Sequence, residues 1–265
     1  MTVENGCITF EPRNTNKSSR IQGRILDHCY TANIVSSMRV KKMSVINADL
    51  DVSGSSSEIR VPKGGRSKRV FDVVLASTML FFALPAMFFI VVIMFSTDKG
   101  PIFFGHERIG HRGKRFHCLK FRSMVVNSRE ALERHLDMFP LAKLEWEASQ
   151  KLRCDPRITR LGRFLRATSL DELPQLINVI RGDMSLVGPR PIVQDEVVRY
   201  DSEIAAYAST RPGITGLWQV SGRSDVGYEQ RVQLDAQYVR EWTFFGDMMI
   251  LVRTVKVVLW RTGSR

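Results

Sequence analysis

The chain has 265 residues, enough for one large domain or two small ones around a real core, and its 44% hydrophobic content is that of a globular protein. A formal charge of +12 points to phosphate-bearing partners: nucleotides, anionic lipid or nucleic acid. The four cysteines, Cys7, Cys29, Cys118 and Cys154, form no C-x-x-C pair, which leaves a zinc or redox-motif reading without support.

Taken in chain order, residues 1–65 read as a separate flexible tail. The charge excess does not lie there, since residues 1–60 hold eight Lys/Arg against six Asp/Glu. The stretch "NADLDVSGSSSEIRVPKGGRSKR" is rich in Ser, Gly and charge, as mobile linkers are. The beginning of the chain contains no apolar stretch of the kind a signal peptide needs.

The composition then changes abruptly. From Val73 to Phe95, "VVLASTMLFFALPAMFFIVVIMF" carries no charge at any position. As a helix it reaches about 35 Å, against a bilayer core of about 30 Å. Residues 66–98 are therefore expected to form a membrane helix. Pro85 removes a backbone hydrogen bond near its middle, and both flanks are basic. A bent, re-entrant helix that enters and leaves by the cytoplasmic face satisfies both features, and a simple span stays open beside it.

Residues 99–265 read as an α-rich domain with a few short strands, facing the cytoplasm. "RFHCLKF" predicts a strand, residues 125–152 predict helices with charged faces, and Ser169–Arg181 places Leu170, Leu173, Leu176, Ile177 and Ile180 at helical spacing. The end, "REWTFFGDMMILVRTVKVVLW", fits an amphipathic helix lying on lipid or a core helix.

"TSLDELPQL" sets Asp171 and Glu172 side by side. Ser169 and Glu172 match a capping box, so the acids could simply cap a helix. Their surroundings suggest chemistry. Arg157, Arg160, Arg163 and Arg166 recur every third residue upstream, and Arg181, Arg190, Arg211 and Arg223 follow among glycines. Arginine forks match phosphate oxygens, and glycines let backbone N–H groups approach an anion. Among arginines a carboxylate can attack phosphorus, and a neighbouring one can hold Mg²⁺ that also binds diphosphate oxygens. Spacing alone does not say which acid does which. The helix dipole and the arginines are expected to hold the nucleophile ionised.

The segments "KRVFD", "GPIFF…ERIG", "KFRSM", "SLDELPQLINVIRGDMSLVGPRP" and "RPGITGLWQVSGR", in this order over about residues 66–265, resemble the bacterial sugar transferase family, the small monotopic phosphoglycosyl transferases. The resemblance implies a mainly α fold with a few short strands: a re-entrant helix-break-helix membrane segment fused to a cytoplasmic α-rich catalytic domain with amphipathic interface helices. It implies transfer of a hexose-1-phosphate from a UDP-sugar, galactose or glucose favoured, to undecaprenyl phosphate. UMP is released, by a ping-pong route through a phospho-sugar carboxylate, as the first step of exopolysaccharide synthesis at the bacterial inner membrane. By position, Asp171 resembles the nucleophile and Glu172 the Mg²⁺ ligand, while Lys120, Arg166, Arg190, Arg211, Arg223 and Asp235 resemble polar positions around the substrate. Pro85 resembles the helix break, although Leu84 stands where some members carry serine. Membrane lipid and downstream glycosyltransferases are implied partners. A membrane-tethered nucleic-acid-binding or scaffold protein would explain the charge but not the paired acids, and aromatic-interleaved RNA-binding motifs are missing.

Overall fold

The computed structural model describes residues 2–4, 7–9, 62–97, 100–149, 151–222 and 227–259. Apart from its first strands and residues 62–65, the tail of residues 1–65 lies outside the described residues, and so does Arg223. The chain divides into two units, Met1–Asp49 and Leu50–Arg265. In the first, β1 (Thr2–Glu4) and β2 (Cys7–Thr9) pair antiparallel.

The second unit is mainly helical. It opens with α1 (Gly65–Thr97), among the described residues the one helix long and apolar enough to cross a membrane. The helix runs continuously through Pro85. Its buried residues form a stripe from Lys68, Asp72 and Ala76 to Met87, Ile90 and Met94. Phe81, Phe82, Phe88, Phe89 and Phe95 are exposed, an arrangement that water penalises and lipid does not.

An antiparallel hairpin follows, β3 (Phe103–Ile109) against β4 (Arg115–Phe121), in register Phe104↔Lys120 and His106↔Cys118. The predicted strand "RFHCLKF" is β4. Alternation along it sends Phe116 and the free thiol Cys118 into the cluster around Ala76, while Phe121, on the opposite face, is buried in the cluster around Met87 and Leu165. The predicted helices of residues 125–152 are α2 (Ser128–Met138) and α3 (Pro140–Ser149). Next come α4 (Arg160–Thr168), α5 (Gln175–Arg181), β5 (Ser185–Val187), α6 (Gln194–Tyr200) and α7 (Ile204–Ala208). Strand β6 (Gly213–Thr215) pairs parallel with β5 and leads into α8 (Leu217–Val220), α9 (Tyr228–Arg240) and α10 (Phe244–Leu259). Helix α10 buries Asp247 and Ile250 and exposes Phe245, Val252 and Val255. An exposed apolar face of this kind suits a helix lying on lipid.

Two packing clusters tie α1 to the rest. Ala76 packs with Val179, Leu186, Tyr238 and Ile250. Met87, Ile90 and Met94 pack with Phe121 and Leu165. At the base of α1, polar groups join the same contact. Lys68 Nζ lies 2.6 Å from Asp247 Oδ2, and Asp72 accepts from Ser185 Oγ at 2.7 Å and from the Leu186 N–H at 3.3 Å. Arg69 donates to the carbonyls of Val179 and Ile180, which are among the last carbonyls of α5 and attract cations.

Candidate active site

Helix α4 starts at Thr159, whose side chain accepts the Gly162 N–H at 2.9 Å, an ordinary cap. A Cβ on Gly162 would stand 2.0 Å from Ser123 O, so only glycine lets α4 approach the end of β4 this closely. That approach brings Arg166 to Ser123, with Nε donating to Ser123 Oγ at 2.8 Å.

Helix α4 ends on Ser169, which takes a left-handed conformation (φ 58°). The expected capping box is absent. Ser169 makes no side-chain cap, and Leu170–Glu172 forms a tight 3-10 turn before α5. The Glu172 N–H bonds to the Ser169 backbone oxygen instead. Non-glycine residues occupy this conformation rarely and at a cost. It is held here by Leu170 and Leu173, which pack onto the Phe121–Leu165 cluster on either side of the acids. The pair therefore sits on a bend that the core imposes.

The bend gives the acids different surroundings. Asp171 is buried (7% exposed), whereas the Glu172 side chain is 35% exposed. Lys120 on β4 reaches both, 2.6 Å from Glu172 Oε1 and 4.0 Å from Asp171 Oδ2. Its neighbour Phe121 is buried, so alternation turns Lys120 to the opposite side of the strand. The Asp171 pKa lies above the ordinary carboxylate value. Burial is the main cause and Glu172 adds to it, while Lys120 and Arg166 pull the other way. This direction is opposite to the expectation from dipole and arginines, because desolvation outweighs both.

These residues line a cleft of about 820 Å³. Lys120, Arg166, Arg190, Asp171 and Glu172 all face it, so five of the expected residues are brought together. Two are not. Arg211 is absent from the lining, and its Nε donates to Gly182 O at 2.9 Å, beside the carbonyls that Arg69 takes. Asp235 is 1% exposed and accepts the Tyr200 hydroxyl at 2.8 Å, and burial lifts its pKa to about 7. It is not among the residues that line the cleft. The lining also includes residues that sequence reasoning did not single out: Ser123, Arg108, Gln175, Trp218 and Gln219. Ser123 stands inside "KFRSM", and Trp218 and Gln219 inside "GLWQ", so the motifs held the signal for these three.

The lining of the cleft is of two chemical kinds. Pro101, Phe104 and Val126 line one part, and Phe104 and Val126 are more than half exposed. Elsewhere stand Arg108, Arg190, Trp218 and Gln219, with Arg190 over the Trp218 ring at 5.7 Å. The apolar residues suit a lipid and the arginines an anionic, water-soluble molecule.

Among the described residues no group of three or more His, Cys, Asp or Glu could hold a metal by itself. Mg²⁺ does not need one, since it commonly takes one or two carboxylates and completes its shell with substrate phosphates and water. Glu172 is open to the cleft and already faces a cation, Lys120. The donor set therefore fits a Mg²⁺ that arrives with a diphosphate.

The electrostatics make a first prediction. Lys120 stabilises the charged form of Asp171, so its removal raises the carboxyl pKa further. Lys120→Met is expected to move the acid limb of the pH–rate profile to higher pH, in addition to slowing the reaction. An unmoved limb in kcat/KM measured across pH would separate Lys120 from the ionisation of Asp171.

The family profile described as bacterial sugar transferase matches residues 64–261. The chain is 54% identical over 197 residues, 74% of its length, to the UDP-galactose-lipid carrier transferase of Erwinia amylovora and to the undecaprenyl-phosphate galactose phosphotransferase of Salmonella typhimurium. Those matches cover 41% of each relative, so the chain corresponds to about two fifths of their length. It is also 50% identical over 203 residues to the exopolysaccharide production protein ExoY of Rhizobium meliloti, covering 77% of this chain and 90% of that one. With its paired acids, its basic cleft and its apolar helix inside the matched segment, the chain belongs to the bacterial sugar transferase family.

Proposed function

We propose that this chain transfers a hexose-1-phosphate from a UDP-sugar to undecaprenyl phosphate, releasing UMP, as the initiating step of exopolysaccharide synthesis. The observation that carries the reading is the Asp171–Glu172 bend. It sets one buried and one open carboxylate around Lys120, in a cleft lined by apolar residues and by arginines. Galactose is the favoured hexose, because the names of the two relatives at 54% identity carry it. A nucleic-acid-binding role has no comparable support.

In this reading an Asp171 carboxylate oxygen attacks the sugar-bearing phosphorus. A P–O bond forms to Asp171, and the P–O bond to UMP breaks with its electrons leaving on the UMP phosphate. Lys120, Arg166 and Arg190 meet the charge that grows on the phosphoryl oxygens. A phosphate oxygen of the lipid then attacks the same phosphorus, and Asp171 leaves as a carboxylate. Mg²⁺ would be held by Glu172 and would neutralise diphosphate charge. The burial of Asp171 excludes water from a bond that water would otherwise hydrolyse.

The packing of α1 supports a monotopic arrangement. Lys68 and Met94 lie about 39 Å apart along a straight helix, and both are buried against the same domain. A domain that follows the helix this far leaves no free segment of the length, about 30 Å, that a bilayer core requires. The exposed phenylalanines would face lipid within one leaflet, and α1 passes Pro85 as one continuous helix. Cysteines placed singly at the exposed Ser67 and Ser96, in a cysteine-free background, test this. Both are expected to resist an impermeant thiol reagent in intact cells and to react after permeabilisation. Labelling of only one in intact cells would mean a true span.

The activity is tested by offering the purified chain undecaprenyl phosphate and a panel of UDP-sugars. UMP release that depends on the lipid is expected, fastest with UDP-galactose. EDTA is expected to abolish it and Mg²⁺ to restore it, and full activity in EDTA would remove the metal from the account. Absence of UMP with every sugar would overturn the transferase reading.

A further inference from the structure

Buried polar atoms normally find partners, and those that do not mark a ligand or water. Around one wall of the cleft several stand together: among the described residues, Trp218 Nε1, Gln219 Oε1, Tyr228 Oη and Arg231 Nε are buried with no hydrogen-bond partner. Trp218 and Gln219 line the cleft that holds Asp171. Their positions are fixed. The Gln219 Nε2 group donates to Ile214 O at 3.1 Å, which leaves Oε1 as the open end of the amide. The indole lies under the Arg231 guanidinium, 4.4 Å from the ring centre, and Arg231 also stands 5.5 Å over Tyr228.

The chemistry of this pair is specific. The indole N–H can only donate and the Gln219 oxygen can only accept. A phosphate dianion accepts and does not donate, so it leaves Gln219 Oε1 unpaired. A uracil imide offers both a carbonyl and an N–H, which matches one donor and one acceptor lining the same cleft. Along the N3–O4 edge cytosine carries the reverse polarity, an acceptor at N3 and a donor on the 4-amino group.

We propose that Trp218 and Gln219 read the imide edge of the donor's uracil, with Arg231 as a positioning residue behind the indole. This rests on the UDP-sugar reading above. It places the nucleoside at the Arg190–Trp218 wall and leaves the Phe104–Val126 wall to the lipid.

The test is titration calorimetry of the full chain in nanodiscs with UMP and with CMP. UMP is expected to bind at least tenfold more tightly. Trp218→Phe keeps the ring and loses the N–H, and Gln219→Met keeps the length and loses the acceptor. Each is expected to lower UMP affinity about tenfold and leave CMP nearly unchanged, so that the preference collapses. Equal affinity for UMP and CMP in the wild type, or a preference that survives both substitutions, would overturn the proposal. So would variants that keep UMP binding but change the choice between UDP-galactose and UDP-glucose, because the pair would then read the hexose. If UMP is released from UDP-sugars without base discrimination, only this inference fails. If UMP is neither bound nor released, the transferase reading fails with it.

Discussion

Asp171→Asn is expected to reduce UMP release by several orders of magnitude while the protein stays folded and membrane-bound. The amide is close in size to the carboxylate and suits a buried position, but it is not a nucleophile toward phosphorus. Had the acid been a helix cap, the change would cost at most about 1 kcal/mol of stability and leave turnover largely intact. The structure removes that alternative for the local backbone, because Ser169 and the acids form no capping box. Glu172→Gln provides the contrast. Glu172 is open to the cleft and paired with Lys120, so its loss is expected to weaken the response to Mg²⁺. A near-wild-type rate for Asp171→Asn, with melting and membrane fractionation unchanged, would contradict the assignment.

The second large effect is on stability. Asp247 is 2% exposed and accepts three contacts: Lys68 Nζ at 2.6 Å, Tyr238 Oη at 2.8 Å and Trp242 Nε1 at 3.0 Å. Breaking a buried pair by removing one partner costs about 3–5 kcal/mol, because the other charge stays buried. Asp247→Leu is therefore expected to destabilise the domain by that amount. Asp72, 3.8 Å from Lys68, would soften the loss. Lys68→Met combined with Asp247→Leu is expected to recover part of it, since no lysine charge is then left buried, while Asp72 loses its neighbouring cation and Trp242 its acceptor. Denaturant titration of the two variants in detergent checks this. A single variant no less stable than an ordinary surface substitution leaves a protein would mean that the network does not hold α1 to the domain.

This network shows where the sequence is legible and where it is not. The apolar helix could be read because an uncharged run from Val73 to Phe95 has few other uses, and β4 because Phe116 and Cys118, then Leu119 and Phe121, stand two residues apart. Lys68 reads as one of several basic flanking residues, yet it is a buried ion-pair partner. The difference depends on Asp247, 179 residues away, which no local pattern announces.

The site behaves in the same way. Asp171 and Glu172 could be picked out by charge, but their division into a buried and an open acid depends on the left-handed Ser169, and the sign of one φ angle is set by packing of Leu170 and Leu173. Arg190 and Arg211 are equivalent as residues. One faces the cleft and the other closes the C-terminus of α5 beside Arg69. Trp218 and Gln219 carried no charge to draw attention, although they lie in a motif that could be recognised.

The most direct test of the covalent account is peptide mass mapping of the full chain after incubation with UDP-galactose and Mg²⁺ in the absence of lipid acceptor. A hexose-phosphate adduct on Asp171 is predicted, formed with an equivalent of UMP and discharged when undecaprenyl phosphate is added. No adduct under conditions that release UMP, or an adduct on Glu172 with Asp171 unmodified, would contradict it.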